Sequence, residues 1–191
     1  MVDIREQKLI FHLTDINNLE TIFSDGLKPR SLLEGFSDVA DPDIIDSRRA
    51  LQLEKLVPFH FFAGNPFDGR VHLDNRGKKF VLITVHRDHA KANNWKIIPR
   101  HPLSGMAITL LDYEAGMNAT DWATMNLRKY DNDECKRICM AECLSPETVS
   151  AKDFFSIYVP DAESENTVNT LKQKHGLNMY VNNSPKMFPG V

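Results

Sequence analysis

Glu142 is the carboxylate whose surroundings point most directly to chemistry. It lies in the segment Cys135-Lys136-Arg137-Ile138-Cys139-Met140-Ala141-Glu142-Cys143-Leu144. Read as a helix over 132–143, this segment places Cys135, Ile138, Cys139, Glu142 and Cys143 on one core-facing stripe. Read as extended over 140–144, it puts Glu142 on a face with Met140 and Leu144. Either way a carboxylate sits on an apolar face, where an unpaired charge is expensive. It is then a structural partner of an arginine, part of a helix end that frays to solvent, or a group held in a cleft to face positive charge in a transition state.

His12 and Thr14 form a second constellation. In Leu9-Ile10-Phe11-His12-Leu13-Thr14 the alternation predicts a strand with His12 and Thr14 on one face, beside the start of a helix. An imidazole, a hydroxyl and free helix N–H groups together can anchor an amide, a ribose or a phosphate. A hydrogen-bonded core histidine is the alternative. Arg48-Arg49 is either a solvated pair or a loop clamp for an anion, through the bidentate geometry of guanidinium.

The cysteines fall at 135, 139 and 143 and nowhere else. The spacing lines them along one helix face without a C-x2-C pair or a nearby histidine, so they read as small buried hydrophobes and no metal site is expected. An odd, clustered set is no disulfide framework, which points to a reducing cytoplasm.

The elements that must carry these residues suit an α+β fold. After the first strand, a helix with Ile16, Leu19, Ile22 and Phe23 on its apolar stripe ends at Gly26. Residues 28–56 hold few apolar anchors and read as a long, polar, partly mobile stretch of the kind that forms functional loops or lids. Strands are expected at 57–62, at 79–86 in a central position, at 106–111 and at 154–159. Helices are expected over 112–127, 132–143 and 161–175.

The 191 residues, with 42% apolar and 26% charged, read as one domain spanning 1–191 with a core of its own. No apolar run is long enough to span a bilayer. The formal net charge of -3 argues against a duplex-DNA coat protein, which needs many uncompensated cations. Locally, though, residues 70–91 carry Arg70, Arg76, Lys78, Lys79, Arg87 and Lys91 against Asp74 and Asp88. With Phe59, Phe61, Phe62 and Phe67 nearby, this stretch suits either a basic surface hairpin or stacking of unpaired bases.

Taken together and in this order, the features resemble the DarT family of DNA ADP-ribosyltransferase toxins. Residues 11–19 with Ile22 and Gly26-Leu27 are similar to the family's opening strand and helix. Ile45-Asp46-Ser47-Arg48-Arg49 followed by Val57-Pro58-Phe59-His60-Phe61 is similar to its loop arginine and "VPFYF" strand. Asp121-Trp122 and the segment ending Ala141-Glu142-Cys143-Leu144 resemble the approach to its catalytic glutamate.

The resemblance implies an ADP-ribosyltransferase fold with a central split antiparallel β-core flanked by helices. It implies transfer of ADP-ribose from NAD, as co-substrate, to thymine or guanine of single-stranded DNA, with release of nicotinamide. Glu142 would be catalytic, with Arg49 or Arg48 as the active-site arginine and Arg49 preferred. His12, Leu13 and Thr14 would hold the nicotinamide end, and Thr21 and Arg49 would complete the NAD contacts. A macrodomain antitoxin is the implied partner. His60 stands where the family has tyrosine, and Phe62-Ala63-Gly64-Asn65-Pro66-Phe67 replaces its Pro-Arg-Ser-Pro-Met-like stretch. The alternatives are a transferase acting on RNA, a non-catalytic single-strand-binding module and, third, a metal-dependent nuclease, which lacks its ligand cluster.

Overall fold

The computed structural model describes residues 3–33, 52–101 and 109–188. Eight strands form one sheet: β1 Leu9–Asp15, β2 Val57–His60, β3 Phe80–His86, β4 Lys96–Ile98, β5 Leu111–Asp112, β6 Glu142–Ser145, β7 Ser156–Val159 and β8 Tyr180–Asn183. Their spatial order is β5-β4-β6-β2-β1-β3-β7-β8. Neighbours are antiparallel except β7 and β8, which run parallel. Among the described residues the α-helices are α1 Leu19–Asp25, α2 Pro66–Asp74, α3 Arg87–Ala92, α4 Tyr113–Ala119, α5 Trp122–Leu127, α6 Asp133–Cys139 and α7 Ala162–Lys174. This is the expected α+β architecture.

β3 is apolar along its length because both of its faces are covered. Val81, Ile83 and Val85 join the main core with Ile10, Phe59 and Ile97. Phe80 and Leu82 join a second cluster on the other face, with Phe11, Leu13, Val71 of α2 and Phe188. A third cluster, on that same face by register, gathers Leu53, Ile98 and Leu144.

Several elements depart from the sequence pattern. The expected helix over 132–143 ends at Cys139, and Glu142 opens β6. Strand pairing wins there because Cys143 and Leu144 have ladder partners on both sides, in β2 and β4. The expected helix over 112–127 is two helices. Thr120 turns extended, and Asp121 starts α5 by accepting a hydrogen bond from the Thr124 N–H. α2 was not foreseen; Asn65 caps it through the N–H groups of Phe67 and Asp68, with Pro66 in the first turn. Of the expected strand at 106–111, residues 106–108 lie outside the described residues, and β5 begins at Leu111. The basic stretch at 70–91 is not a hairpin but runs from α2 through β3 into α3.

The sheet is split between β1 and β2. β1 pairs with β3 over its whole length but with β2 only at Phe11↔His60. Pro58 lies just inside the split. Its carbonyl accepts a hydrogen bond from His12 Nδ1 at 2.7 Å, so its own missing N–H falls on the β1 side, where no ladder bond is lost.

On the other side of the Phe11↔His60 pair, Arg87 closes the seam. Its guanidinium donates to the carbonyls of Leu9 (3.2 Å), Arg5 (2.9 Å) and Phe61 (2.9 Å), and it lies over the rings of Phe61 and Trp122. Burial pushes its pKa down to about 10. Arg87→Met leaves three carbonyls without their donor. It is expected to destabilise the protein by about 3 kcal/mol or more, read as a lowered denaturation midpoint, and Arg87→Lys should rescue little because an ammonium cannot span three acceptors.

Candidate active site

Strand residues directly opposite one another project to the same face of a sheet. The pairs Phe11↔His60, His60↔Glu142 and Glu142↔Ile98 therefore make one row across β1, β2, β6 and β4. Glu142 and His60 are the polar members, 5% and 6% exposed. The row runs between the second and third apolar clusters, so little water reaches either group.

His60 is held in one orientation. Its Nδ1 donates to the carbonyl of Ala141 at 3.2 Å, fixing the corner between α6 and β6 from which Glu142 projects. Its ring lies against Phe67 of α2, with centroids 5.3 Å apart. Behind it Asp68 is 2% exposed and accepts a hydrogen bond from the Gly64 N–H at 2.8 Å. Burial holds the Asp68 carboxyl above the usual carboxylate range, against the attraction of His60 and the pull of that N–H. Neither His60 nor Asp68 stood out from spacing. The signal for Asp68 was the Asn65-Pro66 cap, which places it on the first turn of α2.

His12 and Thr14 share the opposite face of β1, as alternation required. The His12 ring lies 5.6 Å from that of Phe59. Its Nδ1–H is committed to the Pro58 carbonyl. The Thr14 hydroxyl accepts from Asn18 Nδ2 at 3.2 Å, and Asp15 caps the following turn through the Asn17 N–H. Thus His12 and Glu142 flank the seam from opposite faces of the sheet. Leu13 is buried in the second cluster, and Thr21 is exposed on α1. Arg48 and Arg49 lie outside the described residues.

The aromatic and basic surface read from residues 59–91 is corrected. Phe59, Phe61 and Phe62 are fully buried core residues, so they cannot stack on bases. Arg87 is structural, Arg70 pairs with Asp74, Lys79 with Asp161 and Glu163, and Lys91 with Glu114. The three cysteines are buried and free. Among the described residues no three His, Cys, Asp or Glu side chains gather as a metal site. No helix there is long and apolar enough to cross a membrane.

The profile of the DarT family, described as the ssDNA thymidine ADP-ribosyltransferase, matches residues 11–189. The chain belongs to the DarT family. It is therefore an ADP-ribosyltransferase of single-stranded DNA. No curated protein sequence matches it. Its fold is that of solved DarT structures. Thermus sp. 2.9 DarT in complex with ADP-ribosylated ssDNA gives a TM-score of 0.84 at 17% identity, over 96% of this chain and 97% of that one. The same Thermus protein in complex with carba-NAD+ gives 0.80 at 17%, over 96% and 98%. Thermosipho africanus DarTG in complex with ADP-ribose gives 0.77 at 20%, over 95% of this chain and 51% of that one. The split β-core is thus the DarT fold.

Because burial raises the folded-state pKa of Asp68, the folded chain binds its proton more readily than the unfolded one. Stability then falls as pH rises through the window between the ordinary and the raised value. Asp68→Asn keeps an acceptor for Gly64 and removes this loss. It should melt higher than the wild type near neutral pH, with the difference shrinking toward about pH 4, as thermal denaturation across a pH series would reveal.

Proposed function

We propose that Glu142 is the catalytic carboxylate with which this DarT-family chain transfers ADP-ribose from NAD to a base of single-stranded DNA, releasing nicotinamide. The observation that carries the reading is the position of Glu142, buried beside the seam of a DarT fold, where a carboxylate is costly unless it meets positive charge. The Thermus structures, bound to NAD+ and to ADP-ribosylated ssDNA, support the same donor and acceptor here.

His12 and Thr14, with the backbone at Leu13 and the exposed Thr21, would hold the nicotinamide ribose against the seam. The bond between ribose C1′ and the nicotinamide nitrogen breaks with its electron pair leaving on nicotinamide. Glu142 stabilises the oxocarbenium charge left on the ribose and accepts hydrogen bonds from its hydroxyls. A base nitrogen then bonds to C1′ and gives up its N–H proton to solvent water. Arg49, or its neighbour Arg48, clamps the pyrophosphate and polarises the base. A guanidinium stays protonated, so charge and geometry are its contribution.

We take residues 1–191 as one catalytic domain working in the cytoplasm, with residues 28–56 as its substrate and NAD loop. The chain would act as a toxin paired with a macrodomain antitoxin able to remove ADP-ribose.

Glu142→Gln is expected to fold as the wild type does and to lose at least about a thousandfold in transfer. Mass spectrometry of a mixed-sequence single strand incubated with NAD reads this as loss of the ADP-ribose adduct, and mapping the wild-type adduct identifies the base. Transfer at wild-type rate by folded Glu142→Gln would remove Glu142 from the chemistry. Arg49→Lys should fall about a hundredfold in the same assay, since it keeps the charge and loses the planar fork; if only Arg48→Lys is impaired, Arg48 takes that role.

A further inference from the structure

Arg128 follows α5 and is the one arginine in the described residues held in the left-handed region, with φ 50° and ψ 35°. Its guanidinium carbon lies 4.7 Å from the centroid of Phe62, whose ring it covers. Its Nε is buried without a hydrogen-bond partner. Among the described residues no carboxylate pairs with it and no carbonyl accepts from its side chain. Arg87, the other arginine stacked on a core ring, gives all three of its nitrogens to carbonyls. Arg128 therefore holds a half-buried guanidinium in a fixed position with its buried Nε unmatched, an arrangement that an incoming anion would relieve.

Its place in the fold says which anion. Phe62 follows His60 by two residues, and the loop after it is tied to the arginine's own loop, since the Tyr130 hydroxyl donates to the Gly64 carbonyl at 3.1 Å. The Gly64 N–H in turn holds Asp68, beside the His60 of the Glu142 row. The guanidinium thus stands on the loop pair that flanks the active-site row. Its unused N–H groups form the planar fork that matches a phosphate.

We propose that Arg128 is a phosphate-binding residue on the rim of the active site, taking a phosphodiester of the DNA strand or the pyrophosphate of NAD. This rests on the transferase reading for the nature of the two substrates. Phe62 and the backbone turn preorganise the fork, so the ligand orders little when it binds.

The test is direct binding by the full chain, read without turnover. Anisotropy of a short labelled mixed-sequence single strand is followed over a salt series, and NAD affinity is measured by calorimetry. If the phosphate is that of DNA, Arg128→Gln should weaken strand binding about tenfold. It should also flatten the log–log salt slope by about 0.7, the loss of one single-strand phosphate contact. If the phosphate is that of NAD, the tenfold loss appears in NAD affinity and strand binding stays at the wild-type value. Wild-type affinity for both ligands in Arg128→Gln overturns the proposal.

Arg128→Gly guards against a trivial loss of fold. Glycine suits the left-handed turn, so this variant should keep the melting temperature while losing the same affinity. If Arg128 only caps α5, the glycine variant binds both ligands normally and the proposal falls. Failure of the transferase reading looks different: the wild type then leaves no adduct on the strand, whatever Arg128 does.

Discussion

At the seam between β1 and β2 two neighbouring strands give up their ladder after a single pair, and the buried backbone groups of both must find other partners. The described structure meets this demand with side chains. On one side of the pair, Arg87 donates to carbonyls of β1 and of the chain just past β2. On the other, the His12 ring donates to Pro58, and the proline ensures that no N–H is stranded there. These side-chain bonds satisfy the Leu9, Phe61 and Pro58 carbonyls where the ladder stops. Under the proposed function, the opening there is where residues of β1 and β6, strands that are not neighbours, would meet one ligand.

The same constraint governs the polar row. His60 and Glu142 lie beside the seam, between two apolar clusters that hold the halves of that sheet face. Their burial works against stability, and it also excludes water from the Glu142 carboxylate, a setting in which its charge acts most strongly. His60 serves both ends: its ring packs on Phe67 and its Nδ1 pins the carbonyl one residue before Glu142. The cost of the arrangement shows at Asp68, whose carboxyl is pushed toward the neutral form beside them.

Much of this was legible in the residues, and the illegible parts have physical causes. Alternation in residues 9–14 gave the first strand and the face of His12 and Thr14, because one side of β1 meets the main core. The family likeness and the apolar setting both singled out Glu142, which the structure buries beside the seam. Whether it stood on a helix or a strand was open, since Cys135, Ile138 and Cys139 keep a helical period up to the residue where strand pairing takes over. α2 escaped because it carries Gly69 and little amphipathic pattern, and is set by its cap. Arg87 misled because a sequence cannot show that a cation is buried against backbone carbonyls. A local run of charge and a run of phenylalanines counted as one surface, when the fold sends the rings inward.

That correction changes how the chain can meet DNA. Among the cations between residues 70 and 91, Arg87 is buried against carbonyls, and Arg70, Lys79 and Lys91 are paired with carboxylates. The broad positive field that a non-specific binder needs is therefore absent from that stretch, in keeping with the net charge of -3. That stretch therefore offers a strand no charged plateau, and any contact there runs through a few fixed groups. Few phosphate contacts mean a shallow dependence on salt and ready release. For an enzyme that must leave each modified base, binding through a handful of preorganised groups is the arrangement that keeps product release fast.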